Sequence, residues 1–119
     1  MMPPNPNYKR GDVVLVLFPN SNLRSAKTRP ALVVQANNLQ TGLSQVIVAM
    51  ISSQMIRANH PSRFTVLRLS PEGQVAGLLA DSVVMTDNLA TIADAAIYRV
   101  IGSLLMADVE AALRHTLNL

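Results

Sequence analysis

Along this chain short apolar runs alternate with polar, turn-forming stretches, a rhythm that predicts β-strands until a helical spacing takes over at the end. Asp12–Phe18 is a valine and leucine run bounded by Gly11 and Pro19, the pattern of a buried strand. Pro19–Thr28 mixes Pro, Asn, Ser and basic side chains and reads as a loop. Ala31–Gln35 is a second strand entered through Pro30, because a residue without a backbone N–H suits a strand start. Asn37–Ser44 is a turn region, and Gln45–Ile51 is a third strand. Ser52–Ser62 is polar. Phe64–Leu69 alternates Phe64, Val66 and Arg68 with Thr65, Leu67 and Leu69 and predicts a fourth strand. Pro71-Glu72-Gly73, within Ser70–Gln74, predicts a turn. Leu78–Met85 and Leu89–Ala93 read as two more strands, while Ile97–Ile101 is short and ambiguous.

From about Leu105 the spacing changes. Leu105, Val109, Ala112, Leu113 and Leu117 recur as on one face of an amphipathic helix. Asp108 and Glu110 sit early in it, and Arg114 and His115 late, which suits the helix dipole. Five or six short strands followed by one terminal helix predict a mainly-β fold, a partly closed antiparallel barrel with a terminal α-helix.

No repeat, linker or low-complexity run interrupts the chain, so residues 1–119 read as one domain whose proline- and asparagine-rich start, 1–8, is flexible. Half of the residues are hydrophobic and 14% are charged, against a usual charged share of roughly 25%. That balance points to a surface partly covered by a second copy, a homodimer. Cysteine is absent, which excludes a disulfide framework and a thiolate metal site and fits a reducing compartment. No apolar run approaches the roughly 18 residues of a membrane span. Val13–Phe18 is too short for a signal-peptide core. A cytoplasmic protein without membrane contact is expected.

Charge changes the picture more. The net charge is +3, yet no carboxylate occurs between Asp12 and Glu72. That stretch carries Arg24, Lys27, Arg29, Arg57, Arg63 and Arg68, with His60. From Glu72 onward six acids (Glu72, Asp81, Asp87, Asp94, Asp108, Glu110) face only Arg99 and Arg114. A basic part and an acidic part imply a footprint for a polyanion. Arginine predominates over lysine, and its planar fork suits phosphate.

Several segments, in order, resemble one family. Gly11-Asp12-Val13-Val14 and Lys27-Thr28-Arg29-Pro30-Ala31-Leu32-Val33-Val34 resemble the opening signature of the MazF/PemK messenger-RNA-cleaving toxins. Val46-Ile47-Val48-Ala49-Met50-Ile51-Ser52-Ser53 is similar to that family's third strand, which ends in a hydroxyl residue. Asp81-Ser82-Val83-Val84, Thr91-Ile92, Ile101-Gly102 and Val109-Glu110-Ala111-Ala112-Leu113 follow in the family's order, so the resemblance covers about Lys9 to Leu119. It implies an SH3-like, partly open barrel of the MazF/PemK/CcdB type and a symmetric homodimer. It also implies sequence-specific cleavage of single-stranded mRNA without metal or cofactor, and a cognate antitoxin protein that blocks the site.

RNA carries its own nucleophile, the 2′-hydroxyl, so such an enzyme must align that oxygen with the phosphorus and stabilise charge building on the phosphate. By the resemblance, Arg29 is the charge-stabilising catalytic residue and Ser52 its hydroxyl partner. Ser53 is the neighbouring rival, and a serine at a strand end commonly bonds its own backbone. Lys27 and Arg24 would attract phosphate. His60 has the right chemistry for acid–base work, but a polar-loop histidine is more often solvated; His115 reads as structural. Two isolated histidines without cysteine do not make a zinc site. Where many relatives carry a Gln-Ile-Arg-Thr-like segment, this chain reads Asn88-Leu89-Ala90-Thr91, so Asn88 becomes a shorter substrate-binding amide and an arginine is lost at Ala90. Those departures leave room for a relative that grips RNA or antitoxin without cutting. A gyrase-directed toxin on the same barrel fits less well, since such toxins act through an aromatic C-terminal tail and this chain ends His115-Thr116-Leu117-Asn118-Leu119. Base-stacking side chains are few: Tyr8, Phe18, Phe64 and Tyr98.

Overall fold

The computed structural model describes residues 7–19 and 26–119. Six strands form one antiparallel sheet: β1 (Asp12–Pro19), β2 (Ala26–Val33), β3 (Gln45–Ser52), β4 (Arg63–Val66), β5 (Ser82–Ala93) and β6 (Ile97–Ser103), in the order β4-β5-β3-β2-β1-β6. A short helix, α1 (Pro71–Ala76), joins β4 to β5, and α2 (Met106–Leu117) closes the chain.

Adjacent strand residues point to opposite faces, so the unbroken apolar runs must feed two cores. Val13, Leu32 and Ala49 join Ile51, Val66, Val84, Leu104 and Val109 in one. Val14, Ala31, Val33 and Val48 join Val16, Val46, Ile92 and Ile97 in the other. That double burial is why β1, β2 and β3 read as runs rather than alternations.

The second strand differs from its expectation. It begins at Ala26, not Ala31, so Pro30 and Arg29 lie inside it, opposite Leu15 and Val16. Val33 turns its carbonyl toward β1, where it accepts from Gly11 N at 2.9 Å. Alternation therefore aims the Pro30 nitrogen toward β3, whose pairing with β2 stops at Ala31 opposite Met50. The missing donor ends the ladder, and beyond it β2 and β3 no longer pair with each other, β2 staying on β1 and β3 on β5.

Three further expectations are corrected. The fourth strand ends at Val66 rather than Leu69, because Leu67 O accepts from Ser70 N and the Asp81 carboxylate accepts from Arg68 N at 2.8 Å, holding a turn. The expected turn at Pro71-Glu72-Gly73 is helix α1: the Ser70 hydroxyl accepts from Gly73 N, Pro71 opens the first turn and Gly77 closes it at φ 70°. The two strands predicted over Leu78–Met85 and Leu89–Ala93 are one. In β5, Leu89 pairs with Ala49 and Met85 with Met50, so Thr86, Asp87 and Asn88 bulge from a continuous strand, while Leu78 lies before it.

The ends of the sheet meet through α1. A Cβ on Gly77 would lie 2.1 Å from Ile101 O, and one on Gly102 would lie 2.3 Å from Val75 O. Backbone therefore packs on backbone at this seam, a contact only glycine permits, and β6 is held against the loop entering β5. The terminal helix lies over β4 and β5, buries Val109 and Ala112, and carries Asp108 in its first turn and Arg114 and His115 in its last, as its pattern predicts. Tyr8, within the start expected to be flexible, is tied through its hydroxyl to Asp94; residues 1–6 of that start lie outside the described residues. No helix among the described residues is long and apolar enough to cross a membrane.

Candidate functional site

A cavity of about 940 Å³ opens where Pro30 parts β2 from β3. Lys27, Thr28, Arg29 and Pro30 form one side, and Met50 to Gln54, at the end of β3, form another. The β5 bulge contributes Asn88 and the seam contributes Gly77 to Ala80 with Arg99 to Ile101. Of the residues singled out in the sequence, Lys27, Arg29, Ser52, Ser53 and Asn88 thus line one cavity; Arg24 lies outside the described residues.

The electrostatics are one-sided. Lys27, Arg29, Arg57 and Arg99 line the cavity, and among the described residues no carboxylate or histidine does. The ion pairs among the described residues, Lys9–Asp12, Arg10–Glu110 and Arg63–Asp87, all lie elsewhere. Cations left without counter-charges in a concave surface focus a positive potential suited to a polyanion. The sequence offered little warning of two of them. Arg57 follows β3 in a short turn of 3₁₀ helix, and Arg99 stands on β6 in the acid-rich part of the chain.

Ser52 makes the backbone bond common to serines at strand ends, its Oγ accepting from Gln54 N at 3.1 Å. Accepting occupies a lone pair and leaves the hydroxyl hydrogen free to donate into the cavity. Asn88 is exposed, but its backbone is pinned on both sides. Thr86, fully buried, donates through Oγ1 to Ser62 O at 2.6 Å, meets Thr116 Oγ1 at 2.7 Å and lies 3.2 Å from Ala112 O. Asp87 accepts from Arg63 Nη2 at 2.8 Å, and the same arginine donates through Nη1 to the Arg57 carbonyl at 3.1 Å. The hydrogen bond from Arg63 holds the Asp87 carboxyl below the usual carboxylate range. One guanidinium therefore ties the bulge bearing Asn88 to the turn bearing Arg57.

Other candidates fall outside the cavity. His60 accepts from Ser62 N through Nδ1 and meets the His115 ring edge-on at 6.2 Å, away from the cavity lining. Burial, then its bond to Asp94, pushes the Tyr8 phenol up to about 12, and Tyr8 borders a smaller polar pocket instead. Phe64 packs against the first core, and no aromatic side chain lines the cavity among the described residues.

Solved structures share this architecture. A mycobacterial endoribonuclease in complex with its cognate antitoxin superposes with a TM-score of 0.69 at 19% identity, over 94% of this chain and 96% of that one. The Mycobacterium tuberculosis toxin MazF-mt6 gives 0.69 at 24% identity, over 91% and 97%. A MazE–MazF complex from Deinococcus radiodurans gives 0.66 at 20% identity, over 93% and 92%. No curated protein matches the chain in sequence. Residues 9–117 match the family described as the PemK-like, MazF-like toxin of type II toxin–antitoxin systems. The match takes in nearly the whole chain, which has the fold of those solved structures, and the chain belongs to the PemK/MazF toxins.

Proposed function

We propose that this toxin is an endoribonuclease that cuts single-stranded mRNA without a metal ion, with Arg29 and Ser52 as its catalytic residues. The observation that carries the reading is their joint presence, with Lys27, in one cavity that has no carboxylate among its described lining residues. In the reaction the RNA 2′-oxygen attacks the adjacent phosphorus while the bond to the 5′-oxygen breaks, leaving a 2′,3′-cyclic phosphate and a 5′-hydroxyl. The Arg29 guanidinium donates to the non-bridging oxygens as their charge grows, and the Ser52 hydroxyl donates beside it. A guanidinium keeps its proton at neutral pH. Among the described residues the lining offers no carboxylate or histidine, and in this proposal water accepts the 2′-proton and returns one to the leaving oxygen. Lys27 and Arg24 hold neighbouring phosphate, and Ser53 and the Asn88 amide contact the nucleotide. The working form is a cytoplasmic homodimer, consistent with exposed Ile56, Leu69, Leu79 and Leu105. A cognate antitoxin covers the site, as the antitoxin complexes of its structural neighbours suggest.

The test is incubation of the protein and of Arg29→Ala with long single-stranded RNA in EDTA, followed by mapping of the ends. Discrete cuts with cyclic phosphate ends are expected, slowed about 10²–10³ by the substitution, the usual effect of deleting one transition-state donor. Retained RNA binding without any cut would instead favour a toxin relative that grips RNA, a reading that the shortened amide at Asn88 and the alanine at Ala90 make specific.

A further inference from the structure

The cavity holds more cations than one scissile phosphate needs. Arg57 and Arg99 come from widely separated elements, the turn after β3 and strand β6, yet both border it. Their positions follow from the register. Arg99 pairs with Leu15, which pairs with Pro30, so Arg99 stands two strands from the mouth of the ladder. Arg57 stands beyond the other side, its Nη1 3.7 Å from Sδ of Met85 on β5. Arg57, beside β5, and Arg99, on β6, thus reach the cavity from the two halves of the strand order, on either side of the parted β2 and β3. A single strand presents its phosphates in series, one about every 3.4 Å when stacked, so cations on separate elements suit successive phosphates.

Both side chains are exposed and make no ion pair among the described residues. Arg57 is nevertheless not loose, because Arg63 binds its carbonyl while paired to Asp87. We propose that Arg57 and Arg99 are phosphate-binding arms that hold the RNA backbone on the two sides of the cut, extending the site over several nucleotides. This rests on the ribonuclease reading, within which Arg29 and Ser52 serve the scissile phosphate.

The measurement is the salt dependence of binding to a single-stranded RNA made uncleavable by 2′-O-methylation. Each phosphate contact to a single strand contributes about 0.7 to the slope of log affinity against log salt. Arg57→Gln and Arg99→Gln should each make the slope shallower by about 0.7, and the double variant by about 1.4. Arg57→Lys and Arg99→Lys should restore it. Cleavage at saturating natural RNA should stay within about twofold of the unaltered protein, with the loss seen in KM. Arg68→Gln, an exposed arginine off the cavity, should leave the slope alone. An unchanged slope in both glutamine variants, or an equal loss in Arg68→Gln, overturns the proposal while leaving the ribonuclease reading intact. Failure of the unaltered protein to bind any RNA overturns both.

Discussion

Replacing Thr86 with valine removes one hydroxyl from a fully buried position while keeping the branched shape of the side chain. The hydroxyl has one hydrogen to donate, and Ser62 O at 2.6 Å is its nearest acceptor; Ala112 O is at 3.2 Å. It also meets Thr116 Oγ1 at 2.7 Å. Two such bonds contribute about 1 kcal/mol each. The penalty for orphaned groups is small here, because Ser62 O keeps the bond from Thr86 N at 3.1 Å and Thr116 is only half-buried. The expected loss is therefore about 2 kcal/mol. At about 2.1 cal/mol/K per residue, 119 residues give an unfolding entropy near 0.25 kcal/mol/K, so Tm should fall by about 8 °C. Circular dichroism melts at one fixed protein concentration would read this, since association shifts Tm. Thr86→Ser, which keeps the hydroxyl and loses a methyl, should cost about 1 kcal/mol, half as much. A Thr86→Val shift under about 2 °C would refute the claim that this hydroxyl ties the β5 bulge to α2.

The remaining predictions concern the seam and the clamp. Gly102→Ala would set a Cβ 2.3 Å from Val75 O and Ala76 C, backbone atoms that cannot rotate aside, and should cost about 3 kcal/mol or more; a melt within a few degrees of the unaltered protein would dismiss the seam as a closure. The Arg63 hydrogen bond lowers the folded-state pKa of Asp87, so its stabilisation is complete above the unfolded carboxyl value of about 3.9 and is lost as pH falls through the folded value. Arg63→Gln should therefore weaken the fold more at neutral pH than in strong acid. Carboxyl NMR titration should show Asp87 returning to the ordinary range in that variant; an Asp87 titration identical in the two proteins would contradict the ion pair.

Much of the architecture was legible because it is local. Valine-rich runs, Gly and Pro punctuation and the helical spacing from Val109 to Leu117 each report on a few neighbouring residues. Even the break between Met85 and Leu89 was visible, though as a boundary between strands. Whether such a break ends a strand or bulges from it depends on the partner, and β3 runs straight past it. Helix α1 was missed because Pro71 and Gly73 signal a turn as readily as a helix start. Pairing decided Pro30 as well: its missing donor is harmless only because the β2–β3 ladder stops there.

For the candidate site, residue types and family order brought forward Lys27, Arg29, Ser52, Ser53 and Asn88 from the sequence alone. Their meeting in one cavity, and the arrival there of Arg57 and Arg99, came from tertiary structure. Counting charges along the chain set Arg99 among the acids, whereas sheet curl and the glycine seam bring it to the same cavity as Gly77 and Leu79. Sequence determines which chemistry the chain carries and which short segments extend or coil. Strand register and closure decide which distant charges share a cavity, because those contacts span residues whose separation leaves no periodic trace.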